Sequence, residues 1–351
     1  MDSLEYFTQL LRDKQNLENN QIRLCINFLT DEKVLLRAKE DFLLSLALKG
    51  ETANETAAFI NYFRELARDP ELHEFSDQAI DLCGTGGDRA GSFNISTFVS
   101  FILASAGVPV IKHGNRSISS KCGSADLLEA IGIPIELDTG RINESMKRLS
   151  FTFLFAPSFH PAFKHIAPVR KELAKKGIIT IFNILGPMIN PARPGFQLLG
   201  VYAQELVSRI GNSLNQTGIK SGYVVHGCVA DHPTITGVDE LTSCGQNIVC
   251  GFGLENGISN HSWGPEKFGL EYSKISDIKG GDLKMNLELM DLLLNNRAPT
   301  GLTSSILMNA ALAFMAIGKT NSLQGGVELA RQLLKDGKVK NWLDSVRTFY
   351  S

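Results

Sequence analysis

The chain has 351 residues, of which 43% are hydrophobic and 21% charged, with a formal net charge of −2. This balance excludes disordered and fibrous proteins and leaves enough material for one large α/β unit beside a smaller one. It also excludes nucleic-acid binding through overall charge, while a local basic pocket remains open.

In chain order, the opening MDSLEYFTQLLRDK carries acids and no apolar stretch of signal-peptide length. No run approaches the ~18 apolar residues of a membrane span. The six Cys form no CxxC pair, so reduced thiols and a cytoplasmic protein without membrane partners are expected. Leu4, Phe7 and Leu11 recur at helical spacing, as do Ile22, Cys25, Ile26 and Leu29. A looser stripe through Val34, Leu35, Phe42 and Leu46 stops at Gly50. Thr52-Ala53-Asn54-Glu55 fits a capping box opening a helix that runs towards Arg68, ahead of Pro70. Residues 1–75 therefore read as a helical domain.

Beyond residue 78 the texture changes. Short apolar runs at 79–83, 108–111, 151–155, 178–182, 198–202, 222–225 and 248–250 read as strands. Helical patterns lie between them, so a mainly parallel sheet is expected, in an α/β domain spanning 76–159 and 196–351. Part of the Pro- and His-bearing stretch 160–195 is expected to rejoin the helical domain.

Glycine is only mildly enriched, at 32 residues, but it clusters. Gly84-Thr85-Gly86-Gly87-Asp88 follows a strand and precedes a helix. Side-chain-free residues there let backbone N–H groups approach a phosphate, although the pattern is neither a Walker loop nor GxGxxG, and a plain turn would look the same. In Asn94-Ile95-Ser96-Thr97 the hydroxyls open the next helix, as caps or as phosphate and metal contacts. Lys112-His113-Gly114-Asn115-Arg116-Ser117 and the following Ser119–Asp126 concentrate cations and hydroxyls with Asp126 as the only acid, which suits a small polyanion. Asp239-Glu240 offers adjacent carboxylates, either a surface pair or a hard oxygen site for Mg2+. His160 and His165 are badly spaced for a shared metal, and Arg170 is either a carboxylate partner or a surface cation.

Together these stretches resemble anthranilate phosphoribosyltransferases. The resemblance rests on GTGGD at 84–88, NIST at 94–97, KHGNRSISSKCGSADLLEAIG at 112–132, PVRKEL at 168–173, FNILGPMINPARP at 182–194 and GVDELT at 237–242, with ALKGET at 47–52. It implies a small all-helical domain beside a larger α/β domain of the nucleoside phosphorylase/phosphoribosyltransferase type, and a homodimer. It implies transfer of the phosphoribosyl group of phosphoribosyl pyrophosphate (PRPP) to anthranilate in tryptophan biosynthesis, with Mg2+, as two ions. Carried over by position, Gly84, Thr85, Gly87, Asp88, Asn94, Ser96, Thr97, Lys112 and Ser124 bind PRPP. Gly84, His113, Asn115, Arg170 and Pro187 line the anthranilate site, and Ser96, Asp239 and Glu240 hold the metal.

Three departures from that pattern are visible: extra residues at Ala174-Lys175-Lys176, a long linker at 228–236, and Cys122 where serine is common. They bear on acceptor specificity and metal geometry. A same-fold phosphoribosyltransferase or nucleoside phosphorylase with another acceptor is the alternative, and a non-catalytic nucleic-acid-binding relative is a further one.

Overall fold

Apolar residues at helical spacing drive the first four helices together. In the computed structural model, which describes residues 3–88, 90–116, 121–230 and 232–351, these are α1 (Leu4–Arg12), α2 (Asn19–Thr30), α3 (Leu36–Lys49) and α4 (Ala53–Glu65). Gly50 ends α3 with φ +83, and the expected capping box opens α4: Glu55 N–H donates to Thr52 Oγ1 (3.1 Å) and Thr52 N–H to Glu55 Oε2 (2.8 Å). A short turn, α5 (His73–Ser76), leads into the sheet.

There follow β1 (Ile80–Gly84), α6 (Ile95–Ser105), β2 (Val110–Gly114), α7 (Ser124–Ala130), α8 (Thr139–Leu149), β3 (Phe151–Phe155), the short α9 (Ala156–Phe159) and α10 (Ala167–Lys175). Then come β4 (Phe196–Gly200), α11 (Leu206–Leu214), β5 (Ser221–Cys228), β6 (Gly237–Val238), β7 (Asn247–Gly253) and β8 (His261–Trp263). The chain closes with the short α12 (Ile275–Ile278), α13 (Leu283–Leu294), α14 (Thr300–Ala316), α15 (Leu323–Lys335) and α16 (Lys338–Tyr350). The sheet order is β3-β2-β1-β4-β5-β7-β8, with β6 paired to β5. The first five strands are parallel; β6 and β7 each pair antiparallel with β5, and β8 pairs antiparallel with β7.

Successive strand residues point to opposite faces. Ile80, Leu82, Leu198, Tyr223 and Val225 enter one core, with α6 and the C-terminal helices. Cys83, Leu199 and Val224 enter another, shared with α1–α4, α10 and α11. The sheet is thus covered on both sides, as parallel strands require. The chain steps from β1 through β2 to β3 in one direction, then returns to lay β4 on the other side of β1. That reversal leaves a crevice beyond the carboxyl ends of β1 and β4.

Two expectations fail locally. The run 178–182 is no strand: Ile181–Asn183 is a 3-10 turn, where Thr180 N–H donates to Asn183 Oδ1 (2.9 Å). A short apolar run cannot be told from a buried helical turn by periodicity, and a local side-chain bond decides it. Ser96 and Thr97 do not cap α6 either; the helix begins at Ile95 with Asn94 before it, so both hydroxyls lie inside the first turn.

Candidate active site

The Gly84–Asp88 loop leaves β1 into the crevice. Thr85 N–H donates to Gly200 O (3.0 Å), and Thr85 Oγ1 accepts from Tyr202 N–H (3.1 Å), so the loop is tied to the end of β4. Gly86 and Gly87 have φ +66 and +85, a region that glycine enters without strain. Gly84 serves a different purpose. A Cβ there would collide with the Asp239 carboxylate, whose Cγ lies 2.9 Å from the position. Gly200, paired with Gly84 across the sheet, faces the same residue, and a Cβ on it would overlap the Asp239 carbonyl.

Asp239 and Glu240 follow β6. Asp239 Oδ2 accepts from Gly86 N–H (2.7 Å), and its own N–H donates to Asp88 Oδ2 (3.4 Å). Glu240 Oε1 accepts from Ser96 N–H (3.1 Å), one of the orphan donors at the start of α6. Burial and then the neighbouring Asp88 push the Asp239 carboxyl up to about 7. Burial and then Asp239 push Glu240 up to about 8, against the pull of Lys112. Ser96 also meets Lys112, whose ammonium donates to Ser96 Oγ (3.3 Å) and to Leu82 O. Burial lowers the Lys112 pKa, opposed chiefly by Asp81. Thr97 is buried. Asn94 Nδ2 donates to Cys122 O (3.2 Å), and Ser124 Oγ to Asn115 O (3.3 Å), joining the start of α6 to the loop after β2.

The fit to a metal follows from this donor set. Burial raises both carboxyls, with Asp88 adding to the shift of Asp239 and Asp239 to that of Glu240, beside one hydroxyl, an arrangement that a cation relieves. Among the described residues no group of three or more His, Cys, Asp or Glu side chains is placed to hold a metal ion. Mg2+, held by one or two carboxylates plus ligand phosphates, suits such a set.

The second half of the site is aromatic. His113 ends β2 with its ring 5.1 Å from that of His160; His160 lies 5.7 Å from Phe163, and Phe163 lies 5.7 Å from Phe182. The Arg170 guanidinium stands 5.9 Å from the Phe182 ring. Arg170 is half-buried, and no acid pairs with it among the described residues. Pro187 joins through its carbonyl, which accepts from Gln197 Nε2 (2.8 Å). One aromatic wall thus connects His113 to a cation without a partner.

Sequence reasoning missed the brace beneath. Asp81, fully buried in β1, accepts from His113 N–H (3.2 Å) and Asn190 Nδ2 (3.0 Å). Asn190 also donates to Ile111 O (2.9 Å) and accepts from Ala192 N–H (3.0 Å). A carboxylate within the apolar strand IDLC was the available signal, because a buried charge demands partners. The cations of the stretch after β2 are partly committed to neighbours. Arg116 is engaged by Asp126 (3.1 Å) and Glu129 (2.6 Å), the second acid supplied by the next turn of α7, and Lys112 is buried. Ser117, Ser119 and Ser120 lie outside the described residues. The added residues at 174–176 end α10, where Lys176 pairs with Glu40 of α3 (2.7 Å).

The paired imidazoles set a pH dependence. Burial pushes His160 down to about 4 and holds His113 well below its ordinary value. Between about pH 6.5 and 4 the unfolded chain therefore binds more protons than the folded one, and stability falls as pH falls. For His160 alone the loss reaches about 2 kcal/mol by pH 5. Melting curves from pH 7 to 5 will show a falling Tm and a shallower slope for His160→Gln; equal slopes would remove His160 as a source.

The glycosyl transferase family a/b domain matches residues 76–340. The anthranilate phosphoribosyltransferase of Persephonella marina is 38% identical over 346 residues, covering 98% of both chains. That of Petrotoga mobilis is 39% identical over 344 residues, covering 98% of this chain and 96% of its own. The chain belongs to the anthranilate phosphoribosyltransferase family. The Thermus thermophilus family member superposes with a TM-score of 0.86 at 36% identity, over 98% of this chain and 99% of that one. The fold extends to the Saccharomyces cerevisiae anthranilate phosphoribosyltransferase crystallised with PRPP and Mg, with a TM-score of 0.83 at 22% identity, over 99% and 97% of the two chains. Among the described residues, no helix is long and apolar enough to cross a membrane.

Proposed function

We propose that this protein transfers the phosphoribosyl group of PRPP to anthranilate, giving N-(5-phosphoribosyl)anthranilate and pyrophosphate in tryptophan biosynthesis. The observation that carries this reading is a glycine loop tied to a carboxylate pair beyond the end of β1, with an aromatic wall running from His113 in β2 to Arg170, which pairs with no acid among the described residues. Relatives named for this activity match along nearly the whole chain.

Gly84, Thr85, Gly87 and Asp88 form the pyrophosphate cradle, completed by Asn94, Ser96, Thr97, Lys112 and Ser124. Asp239 and Glu240, with the Ser96 hydroxyl, would hold Mg2+, as two ions together with substrate phosphate oxygens, and the metal when bound would neutralise charge on the pyrophosphate. His113, Asn115 and Pro187 line the acceptor pocket beside Gly84, and Arg170 takes the anthranilate carboxylate. The aromatic amine attacks C1 of the ribose as the bond to pyrophosphate breaks, and the amine proton leaves to solvent or phosphate. Lys112 and the loop N–H groups meet the charge developing on the leaving group. His113 and His160, held neutral by burial, add no cation beside the sugar, where positive charge develops.

The helical unit, residues 1–75 with part of 160–195, closes on the α/β unit of 76–159 and 196–351 and excludes water. Two copies associate through the helical unit, where Tyr6, Leu24, Leu35, Leu36 and Leu48 are exposed.

The test is pyrophosphate release from PRPP and Mg2+ across a panel of aromatic amines. Anthranilate is the active acceptor, and an inactive anthranilate beside an active analogue would overturn the assignment. In the same assay Arg170→Ala raises the anthranilate KM by about 100-fold, or about 3 kcal/mol, with the PRPP KM unchanged. An unmoved anthranilate KM would take the carboxylate away from Arg170.

A further inference from the structure

The residues flanking the linker at 228–236 pair as the two arms of a hairpin. β6 pairs antiparallel with β5, Gly227 opposite Val238 and Cys228 opposite Gly237, and Val229 N–H donates to Thr236 O (3.0 Å). At the turn, His232 Nδ1 accepts from Thr234 N–H (3.3 Å) and Ile235 N–H (3.1 Å). The base is set by His226, whose Nδ1 bonds Val201 O (2.8 Å) and whose ring occupies the space a side chain on Gly237 would need.

The apolar side of this hairpin is buried. Val229, Ile235 and Val238 form a small separate core with Ala90, Cys244, Ile275 and Ile278. Ala90 belongs to the far limb of the glycine loop, and its N–H donates to Asp88 Oδ1 (3.1 Å). The other oxygen of Asp88 meets Asp239 N–H, the first residue beyond β6. The same limb is pinned on its other side, where Phe93 N–H donates to Ile278 O and Gly280 N–H to Gly91 O, both 2.9 Å. One apolar cluster therefore grips both the glycine loop and the strand that delivers Asp239 and Glu240.

We propose that the 228–238 hairpin is a positioning element that holds the glycine loop and the Asp239-Glu240 pair at the spacing a metal-bound pyrophosphate requires. Val229 and Ile235 act through Ala90 and Val238 and touch no substrate. The inference rests on the PRPP and Mg2+ reading above.

The test compares wild type, Val229→Ser with Ile235→Ser, and a chain in which residues 230–235 are replaced by Asn-Gly. PRPP binding in Mg2+ is measured by calorimetry, anthranilate KM by the release assay, and folding by Tm without metal. Loosening the hairpin raises the PRPP Kd by about tenfold, as supporting-shell changes do, and leaves the anthranilate KM within about twofold. Ile235→Val restores the PRPP Kd. A PRPP Kd equal to wild type in both loosened variants overturns the inference while the functional reading stands. Wild type that binds no PRPP with Mg2+ overturns both. Equal losses in both substrates, tracking Tm, would make the hairpin a general stability element and also overturn it.

Discussion

Replacing Asp239 by Asn together with Glu240 by Gln lowers kcat/KM by at least about a thousandfold, the scale lost when charge stabilisation in a transition state is removed. The two side chains lie where the glycine loop meets the start of α6. The same change strengthens the metal-free fold at alkaline pH. Both carboxyls are pushed up, to about 7 and about 8, so above those values the folded chain carries a charge repulsion that the unfolded chain lacks. Sites with raised acid pKa values bind protons more tightly when folded, and stability is lost as pH rises through them. The variant therefore gains Tm relative to wild type between about pH 6 and 9, while losing turnover. Mg2+ competes with those protons, so the half-saturating Mg2+ concentration of wild type rises as pH falls from 8.5 to 6.5. Full activity in the double variant would exclude these residues as metal ligands. A lower Tm at pH 9 would show that the pair is not under repulsion.

Gly200→Ala is expected to be nearly as damaging, although Gly200 touches no substrate in the reading above. A methyl group there overlaps the carbonyl oxygen and carbon of Asp239 and comes within 3.2 Å of Glu240 N. These are backbone atoms, which cannot rotate away. The 239–240 segment must move or β4 must shift, at a cost of about 1–3 kcal/mol. A displacement near 1 Å in a positioned group costs about 100-fold in rate. Soluble Gly200→Ala with a modestly lowered Tm and a large fall in kcat/KM is the expected result. Wild-type kinetics would show that the carboxylate pair tolerates displacement. By contrast, Gly86→Ala meets no neighbouring atom and is opposed only by its positive φ.

The contrast between these glycines shows what was legible in the sequence. GTGGD announced itself as a cluster after a strand, and its role as a turn with open N–H groups was readable from glycine chemistry. Gly84 looked like a ligand glycine, but the structure gives it a further reason: it makes room for a residue far along the chain. Gly200 carried no local signal, because the need for it lies in Asp239. Asp81 and Asn190 behave alike. Each was visible as a polar residue among apolar neighbours, but the bond between them exists only because β1 and the 186–192 turns meet. The pairing of Arg116 was hidden for the same reason, since Glu129 reaches it from the next turn of α7.

By itself the sequence determined the helical opening, the alternation of strands and helices, and the family, because these depend on periodicity, capping chemistry and motifs read within short windows. It also named the residues that could carry charge. The tertiary structure alone decided which of them meet. Strand order laid β4 beside β1 and opened the crevice; sheet pairing carried Asp239 and Glu240 to the start of α6; and an aromatic wall joined His113 to Arg170. Side chains on different elements acquire shared electrostatics and shared space only when packing brings them within a few ångströms, and no local pattern encodes that distance.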